Sequence, residues 1–229
     1  MSSLPIILAA LTCSACAVAG QPDVGSDAGH AKDTTPDAHV ANSPMDAALL
    51  GPDAEVQGAD ASPSSACALT FSGVIATWTF SGEPGSQTTT PLATTASGVT
   101  GAGITRSTAL IAASGTGTMN ASNWGTSAQA DTAKYYTMSI TPPSNCTIDL
   151  TSIATDLKAS TTGPAKAAVG SSQDNFGQTV VLSTSTTSTG SLAISASGPI
   201  ELRLFGYNAS GSIGTLRLQN TLTISGAIH

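Results

Sequence analysis

The chain has few aromatic and few charged residues. Aromatic residues make up 4% and charged residues 9% of its 229 residues. Residues 66–229 contain six acidic and six basic side chains and no cluster of lysine or arginine. Binding to nucleic acid or to anionic lipid headgroups depends on such basic clusters. The composition therefore argues against nucleic acid as a partner and against a membrane contact made by this region.

The common catalytic motifs are also missing. Residues 66–229 have one histidine, His229, at the last position of the sequence, so a serine or cysteine nucleophile would have no internal base. No zinc-protease, hydrolase-elbow, phosphate-loop or dinucleotide motif occurs. We expect no enzymatic activity and no cofactor. A glycan hydrolase with two carboxylates remains an alternative, because these acidic residues could supply the pair: Glu83, Asp131, Asp149, Asp156, Asp174 and Glu201.

Residues 1–19 have the pattern of a signal peptide. An apolar run at 4–11 is followed by small residues, with cleavage expected near Cys16 or Ala19. Ser14-Ala15-Cys16 resembles the end of a bacterial lipobox, which makes Cys16 the candidate lipidation site. We therefore expect an exported protein, either a lipoprotein of the outer membrane or cell surface or a freely secreted one. Its membrane contact would be made only through that N-terminal anchor.

Residues 20–65 are predicted to form a disordered acidic linker. They are rich in Asp, Ala and Pro and contain no aromatic residue, and eight acidic side chains face a single lysine. Such a segment buries too little apolar surface to offset the entropy lost on ordering. The linker would hold the following domain away from its anchor.

Residues 66–229 are predicted to form one all-β domain, a jelly-roll-like antiparallel β-sandwich. Short apolar runs recur about every ten residues between Gly, Ser, Pro and Asn. Alternation places Ile200, Leu202 and Leu204 on one face of a strand. Residues 207–214 are expected to form a hairpin loop, and residues 82–125 loops or edge strands. In an oxidising compartment Cys67 and Cys146 are expected to form a disulfide, with two buried free thiols as the alternative.

A few side chains could recognise a ligand. Sugar binding uses aromatic faces and planar polar groups, which here are offered by Trp124, Arg106, Tyr135, Tyr207 and Arg217. Trp124, in a predicted loop, is the better candidate for an exposed platform, with burial under that loop as an equal alternative, and Trp78 is expected in the core. Calcium could bind Asp174 and Asn175 in the turn SSQDNFG, or Asp131 with backbone carbonyls, although an Asx turn before Phe176 is the favoured explanation of the first pair.

Several stretches resemble a family of exported bacterial jelly-roll modules, galactose-binding-like, found in proteins with PEP-CTERM or other surface anchors. They are "ATWTFSG", "GVTGAGITRS", "GTGTMNASNWG", "YYTMSITPPSNCTIDLTSIATDLKASTTGP", "AVGSSQDNFG" and "ELRLFGYNASGSIGTLRLQNTLTISG". The corresponding positions are Arg106, Trp124, Lys158, Asp174, Phe176, Tyr207, Arg217 and Asn220. The chain departs from the pattern at Lys158 and Ala159, where the family has a basic pair, and at Gln219, where it has Asp. The resemblance implies a fold and an accessory surface role, and no reaction.

The expected function is thus a non-catalytic cell-surface protein that presents a binding module, with glycan as the ligand class. The alternative is a purely structural surface lipoprotein without a small ligand. An exposed aromatic ring beside Arg106 or Arg217 would favour binding, whereas burial of both tryptophans would favour a structural role.

Overall fold

The prediction of an all-β domain is confirmed. A computed structural model describes residues 66–177 and 179–229, with the backbone alone for Thr179. One short 3-10 helix, Ser172–Asp174, is present in this part of the chain. The strands are β1 Phe71–Thr79, β2 Pro84–Gly85, β3 Thr89–Thr90, β4 Leu92–Thr95, β5 Thr100–Arg106, β6 Ile111–Ala112, β7 Thr118–Ser122, β8 Tyr135–Thr141, β9 Ile148–Ala159, β10 Pro164–Ser171, β11 Thr179–Leu182, β12 Thr187–Ala196, β13 Ile200–Ala209 and β14 Leu216–Ile228. The predictions on the signal peptide, on Cys16 and on the linker concern residues 1–65, which lie outside the described residues.

The strands form two sheets around one core, in a sandwich-like arrangement. Sheet 1 has the order β12-β9-β14-β1-β4, and β7 also pairs with β14, flanked by β2 and β6. Sheet 2 has the order β11-β10-β13-β8-β5-β3. The β2–β7 pair is parallel, and all other pairs among the described strands are antiparallel.

The core follows from the alternation of side chains along the strands. In β8 every second residue is buried, beginning with Tyr136, and in β13 Ile200, Leu202 and Leu204 are buried as predicted. These side chains join one cluster with residues of sheet 1 such as Trp78. The indole nitrogen of Trp78 donates to the carbonyl of Ala102, 3.1 Å away, and this hydrogen bond links sheet 1 to sheet 2. No helix in the described part of the chain is long and apolar enough to cross a membrane.

The disulfide between Cys67 and Cys146 is confirmed. It joins the segment before β1 to the turn before β9, across a sequence separation of 79 residues. By the chain-entropy estimate, closing a loop of this size contributes about 4 kcal/mol to stability.

Two local predictions were wrong. Residues 207–214 do not form a hairpin, because β13 belongs to sheet 2 and β14 to sheet 1, and the segment between them crosses from one sheet to the other. Tyr207 lies within β13 itself. The second error concerns β5, predicted as a loop or edge strand, which pairs with β8 on one side and β3 on the other. Its glycines explain the error: Gly101 and Gly103 leave room for neighbouring backbone, where a Cβ would approach a carbonyl oxygen within 2.7 Å or less.

Candidate ligand-binding site

The outer face of sheet 2 carries the densest group of aromatic and charged side chains outside the core. Alternation along β13 turns Glu201, Arg203, Phe205 and Tyr207 to the outer face, although Phe205 is covered there and only 2% of it is exposed. In the ladder between β13 and β8, Phe205 lies opposite Tyr135. One face therefore gathers side chains that are separated by about seventy positions in the sequence.

Arg203 lies at the centre of this group. Its guanidinium carbon is 4.2 Å from the ring centre of Tyr135 and 4.0 Å from that of Phe176. Its Nε donates to the Glu201 carboxylate at 2.7 Å, and that carboxylate also accepts from the Thr137 hydroxyl at 3.0 Å. The Nη groups of Arg203 make no hydrogen bond to another described residue. With 24% of its side chain exposed, Arg203 is a rigidly held cation with free donors.

A strained turn holds Phe176 over Arg203. The 3-10 helix begins after Ser171, whose hydroxyl accepts from the backbone N–H of Gln173 at 3.0 Å, and its carbonyl accepts from the N–H of Phe176 at 2.8 Å. Asn175 and Phe176 have φ of 54° and 59°, in the left-handed region. Asparagine tolerates this region, but a bulky phenylalanine there costs about 1–3 kcal/mol. The surrounding structure keeps the ring in place against that cost.

Two grooves flank this group on the same face. The first, which we call the hydroxyl groove, has a volume of about 560 Å³ and is lined by Thr105, Thr137, Ser139, Ser172 and Glu201, among others. The second, the aromatic groove, has a volume of about 400 Å³ and is lined by Phe176, Phe205, Tyr207, Gln129 and Thr132, among others. Residues of the loop before β8 form one wall of the aromatic groove. Ser127 anchors that loop by accepting from the N–H of Asn208 at 2.8 Å.

The prediction of Trp124 as an exposed platform is wrong. Only 1% of Trp124 is exposed, and its indole N–H donates to the carbonyl of Ala121 at 2.8 Å. Its ring meets that of Tyr136 edge to face at 5.3 Å between centres. Gly206 makes room for it, since a Cβ there would come within 2.9 Å of the indole. The ring thus fills a core position that the missing side chain of β13 leaves open.

Arg106 is likewise engaged inside the protein. Its Nε donates to the carbonyl of Asn120 at 3.0 Å, and its Nη groups donate to those of Gln87 and Gly85 at 2.6 Å and 2.9 Å. In the described part of the chain no carboxylate lies within 4.0 Å of it. Burial lowers the pKa of this guanidinium, opposed by the neighbouring Tyr136. Arg106 therefore ties β5 of sheet 2 to the region around β7 and β2 of sheet 1, which contradicts a ligand-binding role.

Arg217 lies on β14 of sheet 1, whereas the candidate site lies on sheet 2. It lies opposite Lys158 of β9 and Asn120 of β7. Its Nε is buried without a hydrogen-bond partner, and so is the amide oxygen of Asn120. Of the five predicted ligand residues, the structure brings together Tyr135 and Tyr207 on the outer face of sheet 2. It places Trp124, Arg106 and Arg217 elsewhere.

The predicted calcium residues lie at the end of the 3-10 helix. Asp174 is its last residue and Asn175 its C-cap, and the carbonyl of Asp174 accepts from the N–H of Gly177 at 3.1 Å. Asp131 accepts from the N–H of Ala133 and lies 3.8 Å from the Lys134 ammonium. Among the described residues, no three His, Cys, Asp or Glu side chains are grouped as for a metal ion. A calcium site stays a prediction.

Sequence reasoning did not select Arg203, Phe205 or Glu201 as ligand residues. Their placement was already implied by the alternation in "IELRLFGY", which turns every second residue of this strand outward. What the sequence could not show is that Phe176 closes over Arg203 from a different segment. Comparison of the chain with protein-family models, with curated proteins and with solved structures finds no match.

Proposed function

We propose that this is a non-catalytic, exported surface protein that binds glycan along the outer face of sheet 2. The observation that carries the proposal is the Arg203 group, a guanidinium held by two aromatic rings and a carboxylate on the face that carries the two grooves. Its Nη groups make no hydrogen bond to another described residue. The same proposal includes a jelly-roll arrangement of the strands, a kinship with the exported surface modules that the sequence resembles, and anchoring through a lipid on Cys16.

The chemistry of the two grooves suits a sugar chain. Sugar rings present apolar faces that pack on aromatic rings, and hydroxyls that exchange hydrogen bonds with planar and hydroxyl groups. The aromatic groove offers the partly exposed rings of Tyr207 and Phe176, and the hydroxyl groove offers Thr137, Ser139 and Ser172. Arg203 and Glu201 neutralise each other, and the exposed Lys166 lies opposite Tyr207 on the same face. The face therefore lacks the cluster of cations that a polyanion would need, which favours a neutral glycan.

A hydrolytic role has less support at this face. Glycoside hydrolysis by the common mechanisms needs two carboxyl groups on either side of the scissile bond. Among the described residues that line the two grooves, Glu201 is the carboxylate of the hydroxyl groove, and the aromatic groove has none. The Glu201 carboxylate is also engaged within the protein, since it accepts hydrogen bonds from Arg203 and Thr137.

A second candidate function is a structural surface protein without a small ligand. The burial of both tryptophans favours it, as does the use of Arg106 to bind backbone carbonyls. The two candidates differ in what they require of the outer face of sheet 2, so substitutions there separate them.

The test is a glycan array and a polysaccharide pull-down with the purified protein, with calcium and with a chelator. Variants Arg203→Gln and Tyr207→Ala should lose binding at least tenfold while remaining folded. Lys158→Gln and Phe71→Ala are matched controls, because they remove one exposed cation and one partly exposed ring from sheet 1. They should bind as the natural protein does. Absence of binding to every glycan, or equal losses of binding in all four variants, would contradict glycan binding at this face and favour the structural candidate.

A further inference from the structure

Sheet 1 ends in a long free strand. β12 spans ten residues, Thr187–Ala196, and pairs with β9 on one side. On its other side no backbone hydrogen bond joins it to another described residue. The remaining sheet edges are shorter: β4 and β11 have four residues each and β3 has two. The outward N–H and C=O groups of β12 are therefore the longest unpaired row among the described strands.

Over Thr187 to Ser191 this edge lacks the charged residues and prolines that usually protect an edge strand, and its β-bulge lies beyond that segment. Natural edge strands are commonly blocked by lysine, by proline or by inward-pointing charges. No charged residue occurs between Asp174 and Glu201, and the first proline after β12 is Pro199. A bulge between Ser191 and Ile194 interrupts the ladder to β9. Five residues before it, from Thr187 to Ser191, form a straight segment in continuous register.

We infer that this segment pairs with the same segment of a second copy of the chain, giving an antiparallel dimer about a two-fold axis at Thr189. That axis places Thr187 opposite Ser191 of the second copy, and Ser188 opposite Gly190. Thr–Ser pairs across antiparallel strands are favourable, and like charges opposite each other are not. Because this edge carries no charge, two copies of it can face each other without repulsion. The isologous interface of a two-fold dimer requires such self-complementarity.

Exposed side chains beside the edge fit the same arrangement. Thr187, Thr189 and Ser191 are exposed, so hydroxyls would line the outer surface of the joined sheet. The inference is independent of glycan binding, because it uses neither groove of sheet 2.

The test is sedimentation velocity over a concentration series of the full chain, with Cys16→Ser in every sample so that a lipid cannot cause association. We expect a dimer that dissociates on dilution. Thr189→Lys puts two lysines on the axis and should raise the dissociation constant at least tenfold. Thr94→Lys, on the β4 edge of the same sheet, is the matched control, since Thr94 is also exposed and gains the same charge. It should leave the dimer intact.

A cross-linking experiment reads the register directly. Thr189→Cys should form a covalent dimer under mild oxidation, and Thr94→Cys should not. The inference is overturned if the parent chain stays monomeric across the series, or if the two lysine variants associate equally. A dimer that forms without the Thr189→Cys cross-link would place the interface elsewhere and overturn it as well.

Discussion

The two faces of strand β13 differ in how their polar groups are satisfied. On the inner face, the indole of Trp124 and the hydroxyl of Tyr136 donate to backbone carbonyls within the core. On the outer face, the Nε of Arg203 donates to Glu201, and its Nη groups make no hydrogen bond to another described residue. A side chain whose donors are all used internally stabilises the fold, whereas one held rigidly with donors to spare can bind a ligand. The following changes test that contrast.

Trp124→Ala should have the largest effect. Removing a fully buried aromatic side chain costs about 3–5 kcal/mol through lost contacts and the cavity left behind, and here a core hydrogen bond is lost too. Denaturant unfolding should show this decrease in the free energy of unfolding. Tyr207→Ala, at the half-exposed position next to Gly206, should cost less than about 1 kcal/mol. Similar losses at the two positions would contradict the division between the faces.

Arg106→Met should cost about 1–3 kcal/mol, because it deprives buried carbonyls of Gln87, Gly85 and Asn120 of their donor. Arg217→Met is the control. It removes an arginine whose Nε is buried without a partner, so it should be close to neutral or slightly stabilising. Both are measured by thermal and denaturant unfolding. A loss at Arg217 equal to that at Arg106 would show that charge, rather than hydrogen bonding, determines the cost.

The burial of Tyr136 leads us to expect a loss of stability at alkaline pH. Burial raises the pKa of its phenol above the ordinary value of 10.0, and Arg106 opposes the shift more weakly. The unfolded chain would therefore release this proton above about pH 10 while the folded chain keeps it. The contribution of Tyr136 to the free energy of unfolding is complete below that pH. It falls as the pH rises, by up to about 1.4 kcal/mol per pH unit. Unfolding measured against pH should show a steeper decline than in Tyr136→Phe. Parallel curves would refute this coupling.

The sequence alone was sufficient to predict which side chains alternate between the inner and outer faces of a strand. It was not sufficient to predict contacts between distant segments. The period of two in "YYTMSIT" and "IELRLFGY" correctly assigned the inner and outer faces of β8 and β13. The disulfide was predictable because Cys67 and Cys146 form an even pair and the expected compartment is oxidising. The burial of Trp124 depends on Gly206, some eighty positions later, and the crossing after Tyr207 depends on which sheet each strand joins. Neither is encoded in a local pattern, so the loop around Trp124 looked exposed.

Substitutions of Phe176 are the test of this contrast with the smallest expected effect. At this turn, stability and glycan binding should change in opposite directions. Glycine occupies the left-handed region without the steric penalty of about 1–3 kcal/mol that a bulky residue carries there. Phe176→Leu keeps that penalty and loses the aromatic contact with Arg203, worth about 0.5–1 kcal/mol. We therefore expect Phe176→Gly to be the more stable variant by about 1 kcal/mol, although both should lose glycan binding. If Phe176→Gly is the less stable variant, the ring is held by packing rather than against backbone strain, and the outer face would then follow the same rule as the core.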